Sequence, residues 1–248
     1  MKMKHILNFS FSLCFLLMLT LAQAQEKPTV KSDSLQVADS IPVKKDRYGL
    51  RVGVDLFKFT RGFYDKNYKG IELTADFRWN KKYYLAAELG NENKTTEDDR
   101  LTSNSKGSYL KAGFDYNMYE NWLDMENIIS IGLRYGFSSF SQELNSYKIY
   151  NPNPYWGELA AIPAKQEFNG LSASWIEVVT GMKAKMFNNV FVGFSVQLKT
   201  LVTNKKPEGF DNLYIPGFNR TYNGSFGIGF NYSITYFIPL YKKKVIIK

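Results

Sequence analysis

The chain has one cysteine and one histidine in 248 residues, and both, Cys14 and His5, fall at its N-terminus. Lys2 and Lys4 precede an apolar run from Ile6 to Leu21, which ends in the small-residue site Ala22-Gln23-Ala24. That is the pattern of a secretory signal peptide over residues 1–24, and the run is short for a membrane-spanning helix. A chain processed after Ala24 has neither thiol nor imidazole. This excludes a Ser-His-Asp triad, a cysteine nucleophile, a His/Cys zinc centre and a disulfide. Oxygen-only calcium or magnesium sites stay open. No later segment is a long unbroken apolar run. The nearest, TYNGSFGIGFNYSITYFIPL at 221–240, is interrupted by Gly, Asn, Ser and Thr and carries no apolar helical stripe.

What the chain does have is alternation. Residues 25–47 are polar, contain Pro28 and Pro42, and read as a flexible periplasmic leader. From Tyr48 onward apolar residues recur at every second position in eight successive segments. Leu85, Ala87 and Leu89 are one such row. Ile129, Ile131, Leu133, Tyr135 and Phe137 are another, and Tyr222 to Ile238 in the 221–240 stretch form the last. The opposite face of the same segments is Gly, Ser, Thr and Asn with charges, among them Arg51, Asp55, Glu72, Asp76, Glu88, Lys111, Asp115, Arg134, Glu177 and Lys199. Acids and bases nearly balance there.

The connections alternate too. Asn80–Lys82 and Phe187–Asn189 are tight and 119–127 is moderate. Residues 61–69, 91–107, 141–170 and 203–220 are longer. Short turns on one side and long loops on the other are the habit of outer-membrane barrels. The expected fold is therefore all-β: an eight-stranded antiparallel up-and-down transmembrane β-barrel over 48–241, with a basic tail at 242–248. A lipocalin-like barrel with its apolar face inward would have to fit too many large side chains into an eight-stranded interior. Tyr48, Trp79, Tyr83, Tyr116 and Tyr236 lie near strand ends on the short-turn side, as an interfacial aromatic girdle would. Pro239, lacking an N–H, marks the end of the last strand.

The polar face then points inward, where charges must pair. A tight turn that sets Met186 against Val190 places Glu177 opposite Lys199 as a cross-strand ion pair. Asp115 with Arg134, and Glu88 with Lys111, are expected as diagonal pairs. These charges read as a self-neutralising plug, with a gate or proton path as the alternative.

Outside the barrel, Tyr147, Tyr150, Tyr155 and Trp156 make the third long loop a candidate binding surface for a glycan or an envelope protein. Tyr214-Ile215-Pro216-Gly217-Phe218 of the fourth loop is expected to pack against it. Arg61, Lys69, Lys205, Lys206 and Arg220 are candidate contacts for lipid A phosphates. The net charge of +9 fits anionic lipid better than nucleic acid, which an exported chain seldom meets.

The architecture is similar to the small OmpA- and OmpX-type barrels. The segments DRYGLRVGVDL, YKGIEL, GFDYNMYENW, GLRYGFS, DNLYIPGFNRTY and YFIPLYKK, spread from Asp46 to Lys243, resemble an uncharacterised outer-membrane barrel family of Bacteroidota, a domain of unknown function. The resemblance implies fold and compartment and brings no catalytic residues. Asp33-Ser34-Leu35 and Asp39-Ser40-Ile41 in the leader are similar to the O-glycosylation signal of that phylum. Barrel enzymes that the chain resembles in architecture (lipid A acylases and deacylases, outer-membrane phospholipases, omptins) rely on histidine. The expectation is a monomeric, non-enzymatic barrel with no cofactor and no metal or catalytic site. It would be integral to the outer membrane, with both termini periplasmic and lipopolysaccharide among its lipid contacts. A narrow pore and a subunit of a larger envelope complex are the alternatives.

Overall fold

The chain closes an antiparallel sheet on itself. The structure, a computed structural model, describes residues 43–120, 125–152, 155, 157, 160–220 and 224–246. Eight strands follow one another around the ring: β1 (Val43–Asp55), β2 (Tyr68–Arg78), β3 (Tyr83–Asp98), β4 (Leu101–Asn117), β5 (Ile128–Tyr147), β6 (Ile162–Lys185), β7 (Val190–Asn204) and β8 (Phe226–Ile246), with β8 pairing back to β1. Among the described residues one helix, α1 (Leu56–Tyr64), interrupts the strands. Following partners once round the ring returns about ten residues lower on β1, the stagger that tilted strands need to close. No helix among the described residues is long and apolar enough to cross a membrane.

Alternation decides which side faces out. Leu85, Leu89, Leu110, Phe114, Ile131, Leu133, Tyr135, Phe137, Ile176, Phe194, Leu198 and Ile228 are all exposed. Their neighbours Glu88, Lys111, Asp115, Arg134, Glu177, Lys199 and Asn231 are buried. Of the aromatic residues expected on the short-turn side, Trp79, Tyr83 and Tyr236 are exposed and Tyr116 is half-buried. Tyr48 departs from that expectation. It is buried, stacked on Tyr241 and covered by the cations of Arg78 and Lys243.

Several boundaries differ from those read in the sequence, each for a physical reason. β1 begins at Val43 rather than Tyr48, and β8 runs through Pro239 to Ile246, so segments expected as leader and tail pair with each other. The register shifts between Tyr48 and Gly49, opposite Pro239, and this bulge accommodates a residue that cannot donate to the ladder. The second long loop does not exist as a loop. β3 and β4 continue as a paired hairpin up to Asp98 and Leu101. β5 and β6 likewise extend past their apolar rows, leaving 148–161 as the third connection. Above the apolar belt both strand faces turn polar, so period two vanishes from the sequence while the backbone ladder goes on. Leu56, which continues the alternation of Val52 and Val54, is the first residue of α1. Asp55 ends the strand because its carboxylate accepts from the amides of Phe57 (2.8 Å) and Lys58 (3.4 Å), an N-cap.

On the short-turn side, Glu126 closes the barrel mouth. It accepts from Arg47 Nε at 2.8 Å and from Lys185 Nζ at 3.0 Å, and Arg47 also reaches Asn189 at 2.8 Å. Burial alone would raise the Glu126 carboxyl, but the hydrogen bonds from Arg47 and Lys185 outweigh it and hold it below the ordinary glutamate value of 4.5. A depressed folded-state pKa stabilises above the unfolded value and loses that contribution as pH falls through the folded one. Glu126→Gln should therefore cost about 1 kcal/mol at neutral pH, a small value because the pair is partly solvated. The difference from wild type in urea unfolding should vanish well below pH 4.5. An equal difference at all pH values would show that the clasp is not electrostatic.

Candidate functional site

The interior is filled in layers, and each layer is held by neighbouring strands. Nearest the short turns, Arg51 on β1 meets Asp76 on β2 at 2.5 Å, and Lys183 on β6 reaches the same carboxylate at 2.6 Å from across the barrel. Above it, Lys111 on β4 lies among three carboxylates: Glu88 at 2.6 Å, Glu72 at 3.3 Å and Glu177 at 3.6 Å. Arg134 on β5 grips both oxygens of Asp115 at 2.8 Å and approaches Glu88 at 3.7 Å. Glu177 is paired across strands with Lys199, both fully inside, with an ion-pair distance of 3.8 Å. The six charges singled out in the sequence thus form one network. Glu88 and Lys111 are directly opposite in register rather than diagonal, whereas Asp115 and Arg134 are diagonal neighbours.

A third layer was not foreseen. Lys58 of α1 points inward and binds Glu72 at 2.7 Å and Glu92 at 2.9 Å, with the Tyr109 hydroxyl also in contact. Tyr109 donates to Glu72 at 2.5 Å, and Tyr68 and Tyr214 donate to Glu92 at 3.1 and 2.7 Å. Glu92 keeps the inward parity of Glu88 and Gly90, so the parity rule itself pointed to it. Periodicity does not mark it, because Asn91 and Asn93 on the outer face beside it are polar too.

The fourth connection folds into the barrel, where Gln142 and Phe168 of the 141–170 segment pack against it. Residues 214–218 are buried, with Ile215 and Phe218 joining Tyr109, Phe140, Leu171, Ala173 and Trp175 in an apolar cluster. Gly217 fastens this plug at both of its backbone groups: its N–H donates to Glu92 at 3.0 Å and its carbonyl accepts from Lys199 Nζ at 2.8 Å. Gln142 on β5 holds the descending limb through the Asp211 carbonyl and the Leu213 amide. Among the described residues, one interior cavity of about 50 Å³, with Thr74, Asp115, Ser130 and Asn231 among its lining, has room for water.

A family model described as a domain of unknown function, DUF6048, matches residues 6–243. The chain belongs to that family. No curated protein and no solved structure matches it.

Among the loop residues of this DUF6048 chain, Tyr150 and Tyr155 are exposed, with Arg100 stacked over the Tyr150 ring at 4.2 Å. Tyr147 ends β5 instead of standing in the loop, and Trp156 lies outside the described residues. Three of the five rim cations have protein partners. Arg61 is tied to Asp65 at 3.1 Å, Lys206 to Asp211 at 2.6 Å, and Lys205 donates to the Gly170 carbonyl at 3.0 Å. Lys69 and Arg220 are exposed on separate elements. Residues 1–42, with the signal-peptide site and the two tripeptides of the leader, lie outside the described residues.

Proposed function

We propose that the protein is an integral outer-membrane β-barrel, closed to solutes, that works without enzymatic chemistry as an envelope interaction protein presenting its long-loop end to partners. The observation that carries this reading is the belt of exposed Leu, Ile, Phe and Val around a charged, filled interior. In water such a belt would be an aggregation site, while in lipid it is the favourable surface. Trp79, Tyr83 and Tyr236 at the short-turn edge of the belt match a headgroup boundary. Both termini then lie on the periplasmic side, since β1 and β8 begin and end beside the short turns. Similarity to OmpA- and OmpX-type barrels and a Bacteroidota source fit the same reading.

Against a standing pore is the ion-paired interior capped by the 214–218 plug. For an interaction role stand the paired extensions of β3–β4 and β5–β6 beyond the belt, which lift Tyr150 and Tyr155 clear of the lipid. The partner chemistry this suits is a glycan or an envelope protein met by aromatic stacking, with Lys69 and Arg220 left to anionic lipid headgroups such as lipid A phosphates. The test is crosslinking and pull-down from native outer membranes. A Tyr150→Ala/Tyr155→Ala variant should fold, shown by a heat-dependent gel shift, and lose about tenfold or more of the recovered partner, the equivalent of ~1.4 kcal/mol. Equal recovery would move the interaction off these loops, and recovery of the chain in the soluble fraction would end the membrane reading.

A further inference from the structure

The barrel wall is laddered strand to strand except along one line. β1 stops at Asp55, opposite Ser233 on β8, and its last partner on β2 is Leu73, opposite Val54. Beyond that level, β8 from Phe226 to Tyr232 pairs only with β7, and β2 from Tyr68 to Glu72 only with β3. Among the described residues no strand pairing crosses the gap. α1 packs between these two edges instead. Phe57 rests on Phe230 and Tyr232 of β8, with ring centroids 4.5 and 5.5 Å apart, and Lys58 reaches Glu72 of β2.

The gap lies within the apolar belt, in its long-loop half. Ile71 and Leu73 flank it on one side and Phe226, Ile228 and Phe230 on the other, all exposed outward. α1 adds Phe59, Phe63 and Tyr64 to the same surface, and they are 52, 78 and 68% exposed. Unpaired strand edges are costly in hydrocarbon, and continuing β1 by a few residues would have paired them. A helix covers the edges without satisfying them, so this line is held by side chains alone. Opening it elsewhere means breaking a ladder, whereas here it means releasing Lys58, lifting Arg61 off the Tyr68 ring it overlies at 4.2 Å, and sliding Phe57 off two rings.

What lies behind the gap is as distinctive as the gap. The interior is polar at most levels, yet here the apolar cluster of Tyr109, Trp175, Ile215 and Phe218 comes up to the wall. Gly227, on the β8 edge, abuts the Phe218 ring, and Lys58 sits 4.5 Å over the Tyr109 ring. A hydrocarbon chain crossing the wall at this point would pass the Lys58, Glu72 and Glu92 side chains and then meet apolar groups, whereas at the level of Lys111 it would meet charge alone.

We propose that α1 is a lateral gate, swinging from the seam between β2 and β8 to admit a hydrocarbon chain of a membrane amphiphile from the outer leaflet to the apolar cluster behind it. This rests on the reading of the chain as a membrane barrel. Lys58, bound to Glu72 and Glu92, is the latch, and Phe57 is the seal.

Phosphatidylcholine vesicles doped with a phosphatidylcholine that carries a diazirine at the end of one acyl chain provide the test, with adducts mapped by mass spectrometry. Belt residues such as Leu89, Phe137 and Leu198 should be labelled in every variant. Tyr109 and Phe218 should be labelled in the wild type and severalfold more in Lys58→Met. A Phe57→Cys/Phe230→Cys pair, crosslinked in the processed chain that has no other cysteine, should lose the interior adducts and regain them on reduction. Belt adducts without interior ones, in both wild type and Lys58→Met, overturn the gate and leave the membrane barrel standing. Absent belt adducts overturn both. Interior adducts that survive the crosslink overturn α1 as the gate. If Lys58→Met fails to fold, the crosslinked and reduced forms still decide the matter.

Discussion

Lys111→Met should destabilise the barrel by about 3–5 kcal/mol, the cost of leaving buried charge without its counter-ion. The side chain is wholly inside, and its ammonium is within ion-pair distance of Glu72, Glu88 and Glu177. Methionine fills a similar volume, so packing changes little and the loss is electrostatic. The remaining cations are each already engaged: Lys58 with Glu72 and Glu92, Arg134 chiefly with Asp115, and Lys199 with Glu177 and the Gly217 carbonyl. None can move to serve three carboxylates. Urea unfolding of the reconstituted barrel measures the effect. Lys106→Met, exposed on the same strand, should stay within about 0.5 kcal/mol of wild type. Adding Glu177→Gln to Lys111→Met removes one of the stranded charges and should recover about 1 kcal/mol or more through their coupling. A single variant indistinguishable from wild type, or a double variant worse than the single, would mean that the network is solvated and not a sealed core.

The same residues show why part of the molecule was legible in its sequence and part was not. Wherever one strand face is an exposed apolar belt and the other a charged interior, the contrast between neighbours is large, and period two carries both the strand and its facing. A turn as short as Phe187–Asn189 then transmits register faithfully, which is how Glu177 came to be set opposite Lys199. Beyond the belt the contrast is gone. Asn91, Asn93 and Thr95 on the outer side are as polar as Glu92 and Lys94 on the inner, so the β3–β4 hairpin looked like a loop. α1 was hidden for a different reason. Leu56 and Phe57 continue an apolar run, and only the Asp55 cap breaks the strand. The plug was hidden because its partners are distant in sequence: Tyr214 and Gly217 meet Glu92, and Phe218 meets Trp175, with ring centroids 5.9 Å apart. Composition marked Tyr214–Phe218 as apolar enough to be buried, but not against what.

Gly217→Val should expel the plug, and this is the second large effect. Gly217 has φ +82°, in the left-handed region, where a β-branched residue is strained by about 1–3 kcal/mol. A β-carbon there would also run into the Tyr109 ring, and overpacking of a filled core costs about 1–3 kcal/mol more. The two effects act at one point, where the backbone is clamped by Glu92 on one side and Lys199 on the other. The cheapest relief is to lift the whole turn from Ile215 to Asn219 out of the mouth, since its internal hydrogen bonds, Asn219 N to Ile215 O at 2.8 Å among them, travel with it. The laddered strands are not required to change. The expected signature is therefore split: the heat-modifiable barrel band remains, while added protease cuts within 207–220 at a rate at least about tenfold above wild type, following the larger open population. Planar bilayers add the functional readout. The wild type should be silent, and the variant should show small, brief current steps, limited by the Lys111–Glu177–Arg134 layers below. Gly217→Ala shares the strain and the first β-carbon but not the branch, and should fall between the two. If Gly217→Val resists protease as the wild type does, the loop's seat in the barrel is not what closes it, and closure would rest on the charge layers alone.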